Sequence, residues 1–400
     1  MISHPTRSLF LIALGHLVIE LSSQFMPVLY PVLMDALSLS YTQVGIISLV
    51  HGLGTTLIQP LFGYLSDRWD RRWMVVLSVI WLGVLMGLVG LTRSYWLLIA
   101  VDGLAVLGSA AFHPSAINVV SSCGKRQRGT ATSVFSVGGA LGSALSPLLI
   151  TWGVARMGLN STLLVILPAL LAAGVIYGLL GRQQPAAERA AEQRSAPLAR
   201  QTVLSLALIV LAVMFLSWFQ WSVRTYLPAW LQERGMTLAA AGRTMFLFTL
   251  SISVGSLLGG ALSDRVGRWP LLAACLVLIG PTLWLFLSLS GALQWALVVL
   301  MGILIGATFP ISIVMAQDAW PAGVGTASGL VMGLGWVPGG LGSSLTGYLA
   351  DRYDLTVALR TLLLPALLSV VSITAYALVQ RAAQGTQALP LPEPDAAGGD

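Results

Sequence analysis

The chain carries one charged phrase twice, at corresponding places in its two halves. Residues 63–72 read GYLSDRWDRR, and residues 260–268 read GALSDRVGR. The shorter stretches 129–132 (GTAT) and 325–328 (GTAS) correspond in the same way. Each charged phrase lies between long apolar segments. A chain that repeats itself in this manner is expected to fold as two parallel copies of one helical bundle.

The composition places these two copies in a membrane. Charged residues make up 9% of the chain, against about 25% in soluble domains, and the mean hydropathy is +0.85. A helix that crosses about 30 Å of hydrocarbon needs about 20 residues, and the continuous apolar runs exclude the alternating strands of a barrel. The sequence therefore predicts an all-α membrane protein with twelve transmembrane helices in two six-helix parallel-repeat bundles. The predicted spans are 9–34, 43–65, 73–92, 96–119, 130–155, 160–181, 203–231, 238–262, 270–289, 293–316, 326–350 and 357–380.

Polar stretches divide the chain into four parts. We predict an N-terminal bundle over 1–181, a cytoplasmic linker over 182–202, a C-terminal bundle over 203–381 and a disordered tail over 382–400. Most of the 21 Lys and Arg residues fall into loops on one side of the predicted bundle. The positive-inside rule makes that side cytoplasmic and places both termini there. The net charge of +6 therefore reflects topology and does not indicate a nucleic-acid partner.

The sequence offers no recognisable enzyme site. The two cysteines, Cys123 and Cys275, form neither a disulfide framework nor a metal-binding pattern. No combination of nucleophile, base and oxyanion donor stands out either. We therefore expect no enzymatic activity, no cofactor and no metal ion.

The repeated loops are expected to act as gates. Each copy places an Asp at a tight turn, where its carboxylate can accept hydrogen bonds from the free N–H groups at the start of a neighbouring helix. We predict that Asp67 contacts the helix start near 325–326 and that Asp264 contacts the one near 129–130, each in the opposite half. The alternative is a charged anchor at the membrane surface. The predicted gating residues are Asp67, Arg68, Arg71, Asp264, Arg265 and Arg268.

A stripe of polar residues follows one face of the first span. His16, Glu20 and Gln24 are four residues apart, so they share a helix face. Glu20 lies about 12 residues into the span, which is roughly 18 Å along the helix and near the middle of the membrane. A carboxylate at that depth costs on the order of 3 kcal/mol. We predict that Glu20 takes up and releases a proton beside His16; a permanently protonated, structural Glu20 is the alternative.

Further polar residues fall inside the predicted spans. His51 lies on the second span, and Asp102 and His113 share one face of the fourth. Each is predicted to bind substrate, with a hydrogen-bonded packing role as the alternative for the histidines and solvation at the outer end of the span as the alternative for Asp102. We expect spans 1, 4, 7 and 10 to line a central cavity.

The seventh span contains Arg224, with Gln220 and Trp221 on the adjoining turn. Arg224 either anchors an anionic substrate in the cavity, helped by these two neighbours, or snorkels to the interface within an aromatic belt. The fifth span is rich in residues that allow close helix packing and bending. These residues are Gly138, Gly139, Gly142 and Pro147.

Together these features resemble a known family. The G-x-x-x-D-R-x-x-R loops, the twelve predicted spans and the central linker look like the major facilitator superfamily, over nearly the whole chain. The stretches 38–45 (SLSYTQVG), 112–114 (FHP) and 133–149 (SVFSVGGALGSALSPLL), together with His16, are similar more narrowly to the fosmidomycin-resistance subfamily of efflux proteins. Ser115 stands where that subfamily resemblance would place an acid.

The resemblance implies a proton-driven exporter, or antiporter, of a small organic compound or drug that is anionic or amphipathic. Such a protein works by alternating access, as a monomer, in the bacterial inner membrane. An uptake symporter or a lipid-directed transporter on the same fold is one alternative. A membrane sensor or scaffold is another, although the linker and the tail are short for a signalling domain.

Overall fold

The computed structural model describes residues 4–66, 68–121, 128–180 and 200–387. These residues form sixteen α-helices and three 3₁₀ segments, and no strand occurs among them. The first eight helices are α1 His4–Ser23, α2 Met26–Leu37, α3 Tyr41–Leu57, α4 Gln59–Ser66, α5 Arg71–Leu88, α6 Tyr95–Ser121, α7 Arg128–Met157 and α8 Ile166–Leu179. The others are α9 Arg200–Glu233, α10 Leu238–Val266, α11 Arg268–Ser288, α12 Ala292–Ala319, α13 Val324–Met332, α14 Val337–Arg352, α15 Leu355–Arg360 and α16 Leu363–Gln387.

These helices make the twelve predicted spans, because four spans consist of two helices each. The pairs are α1 with α2, α3 with α4, α13 with α14, and α15 with α16. Ten stretches of the described residues are long and apolar enough to cross a membrane. One of them, Ala131–Leu179, holds both the fifth and the sixth span, and the broken eleventh span is too short in each piece to count among the ten.

The breaks in the first and eleventh spans begin new helices at proline. α2 has Pro27 in its first turn, and α14 has Pro338 in its first turn. Proline is favourable there because the first N–H groups of a helix have no partner within the helix. Gln24 lies in the break of the first span, directly after α1, so the polar stripe that starts on α1 ends in that break.

The two halves meet most extensively along two pairs of helices, and α2 of the first half also packs against α9 of the second. We call α1–α8 the N-half and α9–α16 the C-half; α3 packs against α14, and α7 packs against α10. The loop end is the end of the bundle where α4 and α10 finish, and the far end is the end where α3 begins and α14 finishes. α9 starts inside the predicted linker, and α16 runs to Gln387, so residues 382–387 of the predicted tail are helical.

Candidate functional site

A cavity lies between the two halves, near the middle of the bundle. Its volume is about 400 Å³, which suits a small organic molecule. The N-half lines it from α1, α2, α3, α6 and α7, and the C-half lines it from α9, α10 and Trp336. The expectation that the tenth span lines the cavity is wrong, since α12 contributes no lining residue and the second, fifth and eighth spans do. The lining residues with ionisable or amide side chains include Glu20, Gln24, His51, His113, Gln220 and Arg224.

Glu20 is the centre of a hydrogen-bonded cluster on the N-half wall. Its Oε2 atom accepts hydrogen bonds from Gln24 Nε2 at 2.6 Å and from Ser143 Oγ at 2.9 Å. Its Oε1 atom lies 3.5 Å from Nε2 of His113 and 3.8 Å from Nε2 of His16. One carboxylate oxygen is therefore held by fixed donors, and the other faces two imidazole rings.

Backbone carbonyl groups set the orientation of both imidazole rings. Nδ1 of His16 lies 2.9 Å from the carbonyl oxygen of Phe135, and Nδ1 of His113 lies 2.9 Å from that of Ser109. Because a carbonyl oxygen only accepts, each Nδ1 carries the proton in these contacts. In the neutral rings both Nε2 atoms are then acceptors, and they converge with Oε1 of Glu20. Three converging acceptors favour one additional proton shared among them.

The same three side chains are also candidate metal ligands. Their ligand atoms on His16, Glu20 and His113 all lie within 4.8 Å of one another. Two imidazole nitrogens and a carboxylate oxygen form a donor set that suits zinc. The cation of Arg224, linked to Glu20 through Gln24, adds positive charge beside this set and so favours a proton over a divalent cation.

Gln24 connects the cluster of the N-half to the C-half. Its amide oxygen accepts a hydrogen bond from Arg224, while its amide nitrogen donates one to Glu20. Arg224 therefore faces the cavity, and its charge lies one amide group away from the carboxylate. The sequence placed Gln24 on the stripe with Glu20. It left open whether Arg224 faces the cavity or the membrane interface.

His51 and Asp102 form a second pair in the N-half. Nδ1 of His51 lies 3.1 Å and 3.3 Å from the two carboxylate oxygens of Asp102. The side chain of His51 borders the cavity, whereas Asp102 is fully buried behind it. Solvation of Asp102 at the outer end of its span is therefore wrong: the packing of α3 on α6 removes it from water. Asp102 orients His51 and does not itself border the cavity.

Gln220 and Trp221 line the cavity beside Arg224, on the same stretch of α9. The indole ring of Trp221 packs between Gly52 of α3 and Gly339 of α14. The ring therefore lies between the two halves, where it combines an apolar face with the neighbouring guanidinium. This combination suits a ligand with an anionic and an apolar part.

The small residues of the fifth span pack α7 onto α1. A Cβ atom on Gly142 would lie 2.1 Å from the carbonyl oxygen of Leu17, and one on Gly139 would lie 2.3 Å from the ring of His16. Any side chain at Gly139 would displace His16 from the cluster around Glu20. These glycines therefore hold the cluster in place. The four residues predicted for helix packing, Gly138, Gly139, Gly142 and Pro147, all lie on α7.

The predicted gating residues that the structure describes lie at the loop end. Asp264 and Arg265 are exposed. Arg268 pairs with Asp318 of its own half, and the guanidinium of Arg68 lies over the ring of Tyr64. Asp67 and the side chain of Arg71 lie outside the described residues.

Open space surrounds two glycines at the loop end. Among the described residues, no atom of another part of the chain lies within 4 Å of the position that a Cβ would take on Gly260 or on Gly325. The helix start near 325–326 therefore has no neighbour at Gly325 among the described residues, and its predicted partner, Asp67, lies outside them. The interaction of both repeated loops with the opposite half stays a prediction.

The structure also shows a contact between the halves that sequence reasoning missed. At the far end, Asp351 accepts hydrogen bonds from the backbone N–H groups of Tyr41 and Thr42, each at 2.8 Å. This is the contact between a carboxylate and a helix start that we predicted for the repeated loops, at the opposite end of the bundle. The signal was present, because residues 347–352 read GYLADR, a third copy of G-x-L-x-D-R.

Comparison with known proteins agrees with this architecture. The model of the Major Facilitator Superfamily matches residues 12–343. The fosmidomycin resistance protein of Escherichia coli (strain K12) is 28% identical, over 85% of this chain and 86% of its own. An uncharacterized MFS-type transporter of Bacillus subtilis (strain 168), YfnC, is 27% identical over 92% of each chain. The crystal structure of a bacterial homolog of the human lysosomal transporter Spinster superposes with a TM-score of 0.78 at 15% identity, covering 95% of this chain and 98% of that one.

Proposed function

The chain belongs to the major facilitator superfamily, and we propose that it is a proton-coupled secondary transporter that exports a small organic compound by alternating access. The compound is anionic or amphipathic. The protein works as a monomer in the bacterial inner membrane, with both termini in the cytoplasm. Two bundles, 1–181 and 203–381, move against each other around the central cavity.

One observation carries this proposal. The cavity between the halves has a cluster able to hold a proton on one wall and a fixed cation on the other. Glu20 with its two histidines belongs to the N-half, and Arg224 belongs to the C-half. A substrate that binds between the halves therefore contacts the wall that holds the proton and the wall that attracts an anion.

The proposed proton step uses Glu20. When the carboxylate is charged, Gln24 and Ser143 satisfy one oxygen, and a protonated histidine can compensate the other. Without that proton the cluster carries one negative charge, and with it the net charge is zero, so the halves can close around the cluster in the low-dielectric interior at less cost. Alternation between these two states would couple the proton gradient to the movement of the halves.

The proposed direction, export, rests on the resemblance. The motifs that surround the cluster resemble the fosmidomycin-resistance subfamily, and a relative that covers most of the chain carries that resistance in its name. A Gly- and Pro-rich fifth span is associated with exporters in this superfamily. α7 is rich in glycine and has one proline, Pro147, which follows Ser146 where a glycine is usual.

An uptake symporter is the second candidate, and the connection from Arg224 through Gln24 to Glu20 favours it. An anion that took Arg224 away from Gln24 would leave Glu20 with less compensating charge and so favour its protonation. Joint loading of an anion and a proton is the pattern of a symporter, whereas an antiporter loads them in turn.

A resistance screen tests the proposal and its direction together. Cells that express the protein, and cells that do not, are exposed to a library of small anionic and amphipathic compounds that includes phosphonates such as fosmidomycin. Export predicts a raised inhibitory concentration for at least one compound and lower accumulation of that compound in the expressing cells. Increased sensitivity with higher accumulation would contradict export and indicate uptake.

The same cells test the proton step. Glu20→Gln should abolish the resistance, whereas Asp35→Asn, a change at an exposed acid of α2, should leave it intact at equal expression. Resistance that survives collapse of the proton gradient by a protonophore would contradict proton coupling.

A further inference from the structure

The first turn of α3 is completed by a residue of the opposite half. Four N–H groups at a helix start have no partner within the helix. Here the backbone N–H of Ser40 donates to the side-chain oxygen of Gln43 at 2.9 Å, and the backbone N–H of Gln43 donates to the hydroxyl of Ser40 at 3.2 Å. Asp351 accepts the other two, from Tyr41 and Thr42, and accepts the hydroxyl of Thr42 at 2.5 Å as well. A single carboxylate from the C-half therefore makes three hydrogen bonds to the N-half.

Neighbouring contacts keep this carboxylate against the helix start. The hydroxyl of Tyr226 lies 2.9 Å from the carbonyl oxygen of Tyr41 and 2.9 Å from that of Ser343, and its single proton is shared between these two acceptors. The hydroxyl of Tyr41 donates to Glu233 of the C-half. A Cβ atom on Gly45 would lie only 2.9 Å from the carbonyl oxygen of Ser343, so α3 and α14 touch through their backbones. The far end is closed by direct contact.

The two ends of the bundle differ in this respect. The phrase G-x-L-x-D-R occurs twice at the loop end and once at the far end, where its Asp is Asp351. At the far end the carboxylate is engaged with the opposite half. At the loop end Asp264 is exposed, and no described residue from elsewhere in the chain lies within 4 Å of a Cβ position on Gly325.

We propose that Asp351 is a gating residue of the transport cycle, which holds the far end shut by capping α3 from the opposite half. Asp351 is exposed to solvent, so water can replace each hydrogen bond that is lost when α3 and α14 separate, and the contact is reversible. Its charge and the positive end of the helix make it stronger than a neutral contact of the same geometry. This role does not depend on the substrate, the transport direction or the coupled ion.

Cysteine labelling tests the proposal. Ser343→Cys places a thiol in the closed contact, where the native side chain is fully buried and its hydroxyl has no hydrogen-bond partner. The background carries Cys123→Ser and keeps Cys275, which is buried in the C-half and reports on folding. A membrane-impermeant maleimide is applied to the purified full chain, and mass spectrometry follows each thiol separately.

Asp351→Asn should raise the labelling rate of the introduced thiol by roughly 5- to 30-fold and leave that of Cys275 unchanged. Asp354→Asn is the matched control, because Asp354 caps α15 within the C-half, by accepting from Val357 at 2.7 Å, at the same end of the bundle. It should leave both rates unchanged. An unchanged rate in Asp351→Asn, or an equal rise in Asp354→Asn, would overturn the proposal.

If Asp351→Asn also exposes Cys275, the variant disturbs the fold. A milder variant then distinguishes opening of the gate from unfolding. Thr42→Val removes one of the three hydrogen bonds and keeps the two from the backbone. It should raise labelling of the introduced thiol by roughly 2- to 10-fold without affecting Cys275. No change in that variant would count against Asp351 as a gate, while leaving the proposed proton-coupled export untouched.

Discussion

The Nε2 atom of His113 lies 3.5 Å from Oε1 of Glu20, although the two residues are on different helices of the N-half. His16 approaches the same oxygen from one turn before Glu20 on α1. Because both Nδ1 atoms face carbonyl oxygens, the proton of this cluster can only lie between the rings and the carboxylate. The cluster is therefore a single titrating unit with three members, rather than an acid with a neighbour.

Glu20→Gln should abolish transport driven by a proton gradient while substrate binding and substrate exchange persist. The amide keeps the length and part of the hydrogen bonding of the carboxylate but cannot titrate. Transport into membrane vesicles with an imposed pH gradient, beside exchange without a gradient, measures the two activities. Uphill transport at the wild-type rate and pH dependence would show that Glu20 is structural, and the coupling role would pass to the histidines.

Arg224→Gln should weaken binding of an anionic substrate by roughly 10- to 100-fold, because hydrogen bonds to charged groups contribute about 1.5–3 kcal/mol. Arg224→Lys should lose less, since it retains the charge but not the planar fork of donors. The compound found in the resistance screen serves as ligand in a binding assay on the purified protein. Arg360→Gln, at a guanidinium that stacks over Trp284, is the control. Equal affinity in Arg224→Gln and the wild type would show that Arg224 only ties Gln24 in place.

His51→Leu should destabilise the protein by about 3–5 kcal/mol, because it leaves the fully buried Asp102 carboxylate without its partner. Thermal unfolding in detergent, followed by fluorescence, measures the loss. The double variant His51→Leu with Asp102→Leu should recover much of the stability, since no charge is then left buried. A double variant less stable than the single one would mean that Asp102 has a further essential partner.

The sequence predicted the spans better than their breaks. Hydropathy is a local property, so twelve apolar runs and their duplication are readable from the chain alone. The breaks at residues 24–25 and 333–336 fall inside apolar runs, where hydropathy does not mark them. Pro27 and Pro338 mark the new helix starts, but a proline inside a span also occurs in unbroken helices, such as Pro147 in α7.

The candidate site was predictable where helical spacing alone connects its members. The spacing of four residues joins His16, Glu20 and Gln24, and the structure retains that stripe. His113 and Arg224 reach the same cluster only through tertiary packing, which one sequence does not reveal. Asp351 was missed for another reason, because its copy of the repeated phrase ends a span at the far end, where no gate was expected.

The loop-end gate predicts a result opposite to that of the far end. Asp264→Ala should weaken closure of the loop end, and so should Asp67→Ala, because each removes an acceptor for a helix start that contributes about 0.3–1 kcal/mol when exposed. Labelling of a thiol introduced at the loop end should then increase. Labelling of the thiol from Ser343→Cys at the far end should decrease. Combined with Asp351→Asn, which shifts the balance the other way, Asp264→Ala should bring the far-end labelling rate back toward that of the parent. If instead Asp264→Ala leaves transport and the labelling at both ends unchanged, the repeated loop is a surface anchor. The equilibrium between the two closed ends then does not depend on this loop.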